Sequence, residues 1–334
     1  MIPVLLDCDP GQDDAIALLL AIASPELELL GVSTVAGNQT LDKVTANAIR
    51  VLELAGRGDV PVAAGADRPL AGKLVVAADA HGETGLDGPD LPPPRARPLE
   101  QEATDFLAGR IVASDTPVTL VSTGPLTNVA RLLDEHADAA AALGRIVLMG
   151  GAIAEGNQTA SAEFNVWVDP EAAARVFSSG LDVTMVGLDV TNRAVLTPEH
   201  ADLLRRGGRI CKAVAAMLDF YGCYYDEAYR LGGCPVHDAL AVAHVVRPEL
   251  VRTVARRVEV DASQGLCRGR TVVDTRRRTD LPEPNARVAV DVDVPAFVSF
   301  LLDRLGQLPP GRAVYTSDPV DVRETPETTR RGRD

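Results

Sequence analysis

The chain has 334 residues, 46% of them hydrophobic and 24% charged, and a formal net charge of −14. Such a composition is globular, with enough length to bury a large core in one big α/β domain or two smaller ones. The negative balance argues against a nucleic-acid backbone or an anionic membrane as main partner, and no apolar run nears the roughly 18 residues of a membrane helix.

The start of the chain reaches Asp7 with no basic region and no cleavable apolar segment, so a cytoplasmic protein without a secretory signal is expected. Cys8, Cys211, Cys223, Cys234 and Cys267 are widely spaced, with no Cys-x-x-Cys pair, and read as buried or free thiols. Lysine occurs only as Lys43, Lys73 and Lys212, none of them in a glycine-rich Lys-Ser/Thr loop, which argues against a P-loop nucleotide triphosphatase.

In chain order, residues 3–6 are a short apolar run that predicts a buried strand, and 13–23 is long enough for a helix. The joint is Asp7-Cys8-Asp9-Pro10-Gly11-Gln12-Asp13-Asp14, where Gly11 allows a tight turn. Asp7 and Asp9 point to one side of the strand end, while Asp13 and Asp14 fall in the first helical turn, where the helix dipole favours anions. Four like charges this close are costly unless one is protonated or a cation sits among them. A helix cap uses one acid or two, so the surplus reads as a hard-cation site.

Residues 27–35 read as a strand running into the polar loop 36–40, then 41–55 as a helix and 60–63 as a strand. This alternation predicts a mainly parallel sheet flanked by helices, whose ligands gather at the carboxyl ends of the strands, where Asp9 and Asn38 fall. A long segment rich in Gly and Pro, 65–98, carries His81-Gly82-Glu83-Thr84-Gly85-Leu86. The alternation resumes with helix 104–114 and strand 118–122, and Thr123-Gly124-Pro125-Leu126-Thr127-Asn128 turns into a helix ending near 133. Strand 145–149 ends at Gly150-Gly151, followed by a helix near 170–178 and a buried strand at 183–188.

Residues 198–229 are helical in pattern, and Val236-His237-Asp238 opens another helix. Tyrosines at the spacing of Tyr221, Tyr224, Tyr225 and Tyr229 are more often core or interface than ligand contacts. Segments 254–260 and 287–292 read as strands of a small late sheet, with 268–285 between them an exposed polar turn region. The last helix is 295–305, and 317–334 reads as a disordered tail. No internal repeat and no linker interrupts the chain, so a single domain is expected.

Taken in order, the acidic motif 7–14, His81-Gly82-x-x-Gly85-Leu86, the motif 123–128, Met149-Gly150-Gly151, Ala162-Glu163-Phe164-Asn165 and His237-Asp238-Ala239 resemble the calcium-dependent nucleoside hydrolases. The likeness runs from residue 4 to about 305. It implies a catalytic domain over 1–316 that hydrolyses the N-glycosidic bond of a ribonucleoside to ribose and free base. It implies Ca²⁺ held by Asp9, both carboxylate oxygens of Asp14, the main-chain carbonyl of Thr123 and a carboxylate oxygen of Asp238. With a water and the two vicinal ribose hydroxyls these come to about eight oxygens, the upper end of the range for Ca²⁺. Asp9 is then the general base toward that water, Asp7 supports the loop, and the carboxylates stabilise an oxocarbenium-like transition state.

By the same resemblance, Asp13, Asn38, Met149, Asn157, Glu163 and Asn165 match positions that bind ribose. His237, expected to have a pKa near neutrality, is the candidate acid for the departing base, and His81 borders that base. His136, His200 and His244 fall outside the motifs. Tyr225 and Tyr229 lie four apart on one helix face that borders the base. A Tyr pair there is similar to the pyrimidine-preferring members, whereas inosine-uridine members carry arginine where Tyr229 stands. Uridine and cytidine are the expected substrates, and a homodimer or homotetramer the expected assembly.

Other readings stand beside this one. An inosine-uridine or broad-specificity hydrolase is the alternative within the family. Asp7-x-Asp9 after a strand also resembles the haloacid dehalogenase-like phosphatases, although Gly11 stands where those carry Thr or Val. A non-catalytic binder of ribose or nucleoside would keep the site without turnover.

Overall fold

Strand β1 (Ile2–Cys8) sends Val4, Leu6 and Cys8 into the core on one face of the sheet and Leu5 into the core on the other. A strand buried on both faces needs neighbours on both edges and helices above and below. The structure, a computed structural model, describes residues 1–308, so the expected tail 317–334 and the end of the 1–316 domain lie outside the described residues.

β2 (Leu27–Thr34), β3 (Val62–Ala64), β4 (Thr119–Ser122), β5 (Arg145–Met149) and β6 (Val183–Val186) extend the sheet, all parallel. β7 (Val195–Leu196) and β8 (Cys234–Pro235) form a separate antiparallel pair. Four more strands follow: β9 (Val251–Arg256), β10 (Val258–Val260), β11 (Thr271–Val273) and β12 (Ala286–Val292). The main sheet has eight strands in the order β3-β2-β1-β4-β5-β6-β12-β9, with β9 antiparallel at one edge. Chain order runs outward in opposite directions from β1 and β4, which makes their boundary the switch point where open α/β sheets bind ligands.

Helix Gln12–Ile22 is buried from Gln12 to Ala21 and, beyond Asp14, apolar all round and not amphipathic. It lies in a layer with helices Leu41–Leu54, Arg209–Tyr229, His237–Val246 and Val294–Gln307, enclosed by sheet and helices together. Each fully buried Leu or Ile of this helix contributes about 1.5–3 kcal/mol over an exposed one. The opposite face carries helices Ala103–Val112, Thr127–Glu135 and Pro170–Phe177.

The late strands differ from the expectation of a separate small sheet. β12 joins the main sheet parallel to β6, because Ala286, Val288, Ala289 and Val292 are all buried, and β9 closes the edge beside it. Arg252 and Arg256 place charge on that edge strand, which blunts it against further pairing. The strand-like segment 254–260 breaks at Arg257, and β10 turns away to pair with β11. The segment 268–285 is therefore not all exposed turn. Thr271 of β11 is buried, and its hydroxyl donates to the Ala152 carbonyl at 2.7 Å while accepting the Ala152 N–H at 2.9 Å, bracing the loop after β5.

Candidate active site

The register sets Asp7 beside Ser33 of β2 and Ser122 of β4, so the ends of β1, β2 and β4 open on one rim. Asp7 is fully buried and accepts from Ser33 Oγ at 2.6 Å and Asn128 Nδ2 at 2.8 Å. Burial outweighs these donors and lifts its carboxyl to about 6.

Asp9 lies past the strand end, between two glycines. A Cβ on Gly37 would come within 2.1 Å of Asp9 Oδ2, and one on Gly124 within 2.5 Å of Oδ1, so both loops must be glycine for the carboxylate to fit. Oδ2 accepts the Asn38 N–H at 2.6 Å. Asp14 has two tasks. It accepts the Gly11 N–H at 3.1 Å as a reciprocal cap, and it also accepts from Asn38 Nδ2 at 3.0 Å and Thr123 Oγ1 at 2.7 Å. One carboxylate oxygen from each of Asp13, Asp14 and Asp238 lies within 4.8 Å of the other two.

All four of Asp9, Asp13, Asp14 and Asp238 are buried. Burial first, then repulsion from Asp14, pushes the Asp9 carboxyl well above the usual range and Asp13 to about 8. Burial, Asp13 and Asp14 do the same to Asp238. Asp9 Oδ1 and Asp13 Oδ1 have no hydrogen-bond partner among the described residues, and no Lys or Arg lines the pocket above them. Orphaned, all-oxygen donors of this kind, whose crowding a cation would relieve, fit a divalent cation.

Amide and carboxylate groups surround this floor. Glu163 caps helix Phe164–Val168 and accepts the N–H groups of Gly151 at 2.9 Å, Asn165 at 2.9 Å and Val166 at 3.1 Å. Asn165 Nδ2 donates to the Thr123 carbonyl at 2.8 Å and the Met149 carbonyl at 3.2 Å, tying the ends of β4 and β5 together. Asn157 Oδ1 accepts the Phe164 N–H at 2.9 Å.

The opposite wall is aromatic. His81 sits in the short helix Ala78–His81 and stacks on Tyr221 with centroids 5.0 Å apart. Tyr225 and Tyr229, on the helix Arg209–Tyr229, stack at 5.5 Å. His237 Nε2 lies 2.9 Å from Tyr225 Oη, and Nδ1 lies 2.8 Å from Thr191 Oγ1. Burial pushes the His237 pKa down to about 4, well below the near-neutral value expected from its residue type. That burial depends on residues distant in the chain, Tyr225 and Thr191 among them, which a sequence motif does not display.

One pocket therefore collects Asp13, Asn38, His81, Thr123, Met149, Asn157, Glu163, Asn165, Tyr225, Tyr229, His237 and Asp238. Asp9 and Asp14 are buried and do not line it. His136, His200 and His244 stand apart from it. The pocket also uses Tyr221, Tyr224 and Gln158, which the motifs do not reach, and Phe164, which lies inside one of them without an expected role. Tyr221 stands four residues before Tyr225, which stands four before Tyr229, so the helical stripe was a readable signal for it.

The family described as inosine-uridine preferring nucleoside hydrolase matches residues 4–299. The chain belongs to this family. It is an enzyme, a ribonucleoside N-glycosidase, and the phosphatase reading of Asp7-x-Asp9 falls with that membership. It is 48% identical over 306 residues to the pyrimidine-specific ribonucleoside hydrolase RihA of Escherichia coli O81 (strain ED1a), covering 91% of this chain and 98% of that one. Among solved structures, the purine-preferring ribonucleoside hydrolase from Gardnerella vaginalis superposes with a TM-score of 0.86 at 37% identity, covering 92% of this nucleoside hydrolase and 98% of its counterpart. An inosine-guanosine nucleoside hydrolase gives 0.84 at 28% identity, covering 91% and 99%. Hydrolases named for different bases share this fold, so the backbone alone does not set base preference.

Proposed function

We propose that this nucleoside hydrolase depends on Ca²⁺ and favours the pyrimidine ribonucleosides uridine and cytidine, acting in the cytoplasm as a homodimer or homotetramer in nucleoside breakdown and pyrimidine salvage. The observation that carries the reading is a cluster of buried carboxylates, two of them with an orphaned oxygen, at the floor of and beneath a pocket walled by tyrosine and histidine. The pyrimidine preference draws on the Tyr225–Tyr229 pair and on the RihA relative.

In this reading Asp9, Asp14, the Thr123 carbonyl and Asp238 hold the metal. When bound, Ca²⁺ supplies Lewis acidity toward water and an anchor for the vicinal ribose hydroxyls. Asp9 Oδ1, with no protein donor, takes the proton of the attacking water. Asp13, Asn38, Met149, Asn157, Glu163 and Asn165 hold the sugar, since amides and carboxylates match hydroxyls that both donate and accept. The negative floor stabilises the positive charge that grows on the ring as the glycosidic bond breaks. His237 and the Tyr225 hydroxyl beside it supply the hydrogen bond or proton that the departing base needs, with His81 and Tyr229 bordering that base.

Ribose release from uridine, cytidine, inosine and adenosine, with Ca²⁺ and with chelator, tests this in the parent and in Asp9→Ala. Fastest release from uridine and cytidine, abolished by chelator and by the substitution, is expected. Tight nucleoside binding without turnover in the parent sinks the hydrolase reading in favour of a binder.

A further inference from the structure

Behind the base-side wall lies an amide whose orientation is settled by its surroundings. Gln12, inside the acidic motif and fully buried, donates from Nε2 to the main-chain carbonyls of His81 at 3.2 Å and Asp87 at 3.0 Å. Both amide protons are spent on oxygens that can only accept. The other end of the same amide, Oε1, lies 2.7 Å from His81 Nδ1. An amide oxygen also only accepts, so the proton of this bond belongs to Nδ1.

The rest of the ring's setting follows from that bond. A Cβ on Gly11 would fall within 2.3 Å of His81 Nδ1, so Gly11 and Gln12 together form the seat of this edge of the ring. Tyr221 covers a face. Burial keeps the imidazole neutral, its pKa pushed down to about 3. A neutral imidazole with its proton on Nδ1 has a bare lone pair on Nε2. That nitrogen has no hydrogen-bond partner among the described residues, and His81 lines the pocket.

We propose that Gln12 is a positioning residue that locks His81 in the Nδ1–H tautomer, so that Nε2 offers the bound nucleoside a hydrogen-bond acceptor. The proposal rests on the nucleoside reading above. The group it takes is a hydrogen-bond donor of the substrate, either a base N–H, such as the uracil imide or cytosine amino group, or a ribose hydroxyl. The opposite tautomer would set a donor against that donor and leave both without a partner, the mismatch polar sites discriminate against most strongly.

Imidazole ¹⁵N spectra of histidine-labelled protein at neutral pH test the lock, with the His81 signals identified by their loss in His81→Gln. The parent is expected to show a protonated Nδ1 and a bare Nε2. Gln12→Glu keeps an acceptor for Nδ1–H and is expected to keep the tautomer, whereas Gln12→Leu removes it and lets Nε2–H appear. On uridine, kcat/KM should fall about ten-fold in Gln12→Leu, the effect of one lost hydrogen bond, and less in Gln12→Glu. 3-Methyluridine lacks the base N–H, and 5′-deoxyuridine lacks a ribose hydroxyl. The analogue on which Gln12→Leu costs nothing identifies the donor. A protonated Nε2 in the parent, or an equal loss on uridine and both analogues, overturns the proposal. A parent that hydrolyses no nucleoside counts against the function instead, since the tautomer is read without turnover.

Discussion

Asp9→Asn changes one charge at the centre of the site and almost nothing else. Asp9 Oδ2 accepts the Asn38 N–H at 2.6 Å, so the asparagine carbonyl can take that place and turn its amide to the Oδ1 side, where no protein donor is displaced. What disappears is one of four buried carboxylates. Two unit charges about 5 Å apart at an effective dielectric of about 20 repel by about 3 kcal/mol. Partial protonation of so crowded a group recovers some of this, leaving a gain of about 1–3 kcal/mol in the metal-free protein. In chelator, Asp9→Asn should therefore melt above the parent. With Ca²⁺ the order should reverse, because a ligand at about a thousand times its Kd stabilises the parent by about 4 kcal/mol, and the variant has lost an anionic ligand. Uridine hydrolysis should fall by about a thousand-fold with the loss of the base. Melting curves in chelator and in Ca²⁺, with ribose release under the same conditions, check all three outcomes. A variant that melts below the parent in chelator, or that retains turnover within about ten-fold, refutes the reasoning.

Gly124→Ala places a Cβ 2.5 Å from Asp9 Oδ1 and 2.9 Å from Val35 Cγ1, so the carboxylate must move. Uridine kcat/KM should drop about a hundred-fold, and a variant with parental turnover and Ca²⁺ affinity contradicts the close approach. Asn128→Ala removes donors to Asp7 Oδ1 at 2.8 Å and the Thr34 carbonyl at 3.0 Å, and an acceptor for the Ala66 N–H at 2.9 Å. Its urea midpoint should fall by the equivalent of about 3–5 kcal/mol with an unchanged slope, as buried groups are left unpaired. Tyr229→Arg should move the uridine-to-inosine ratio of kcat/KM about ten-fold toward inosine, and an unmoved ratio removes the basis for the pyrimidine preference.

The local chemistry of this protein was legible from residue order. Gly11 between a short apolar run and a long one marked a strand-turn-helix, and the surplus of acids on that turn could not all be caps. The structure bears out the arithmetic, since only Asp14 reciprocates the Gly11 N–H while Asp9 and Asp13 keep orphaned oxygens. Strand-helix alternation likewise carried the parallel sheet, because a buried parallel strand must be apolar on both faces and its crossover must be long. β12 and β9 did not yield to the same reading. Short alternating segments look alike wherever they pair, and only the pairing of β12 with β6, and of β9 with β12, decides that they join the main sheet.

What the sequence by itself determined is the set of groups, carboxylates, amides and aromatics, and the strand ends on which they stand. Tertiary structure alone decided their states. His237 has its pKa lowered to about 4 because folding buries it beside Tyr225 and Thr191, and nothing in His237-Asp238-Ala239 shows those neighbours. Gln12 is one residue from Gly11 and Asp13 in the chain, but its partner His81 is 69 residues away, brought to it by the loop between β3 and β4. Hydrogen-bond direction and desolvation depend on atoms that meet only after folding, and those are the terms that set proton positions in this pocket.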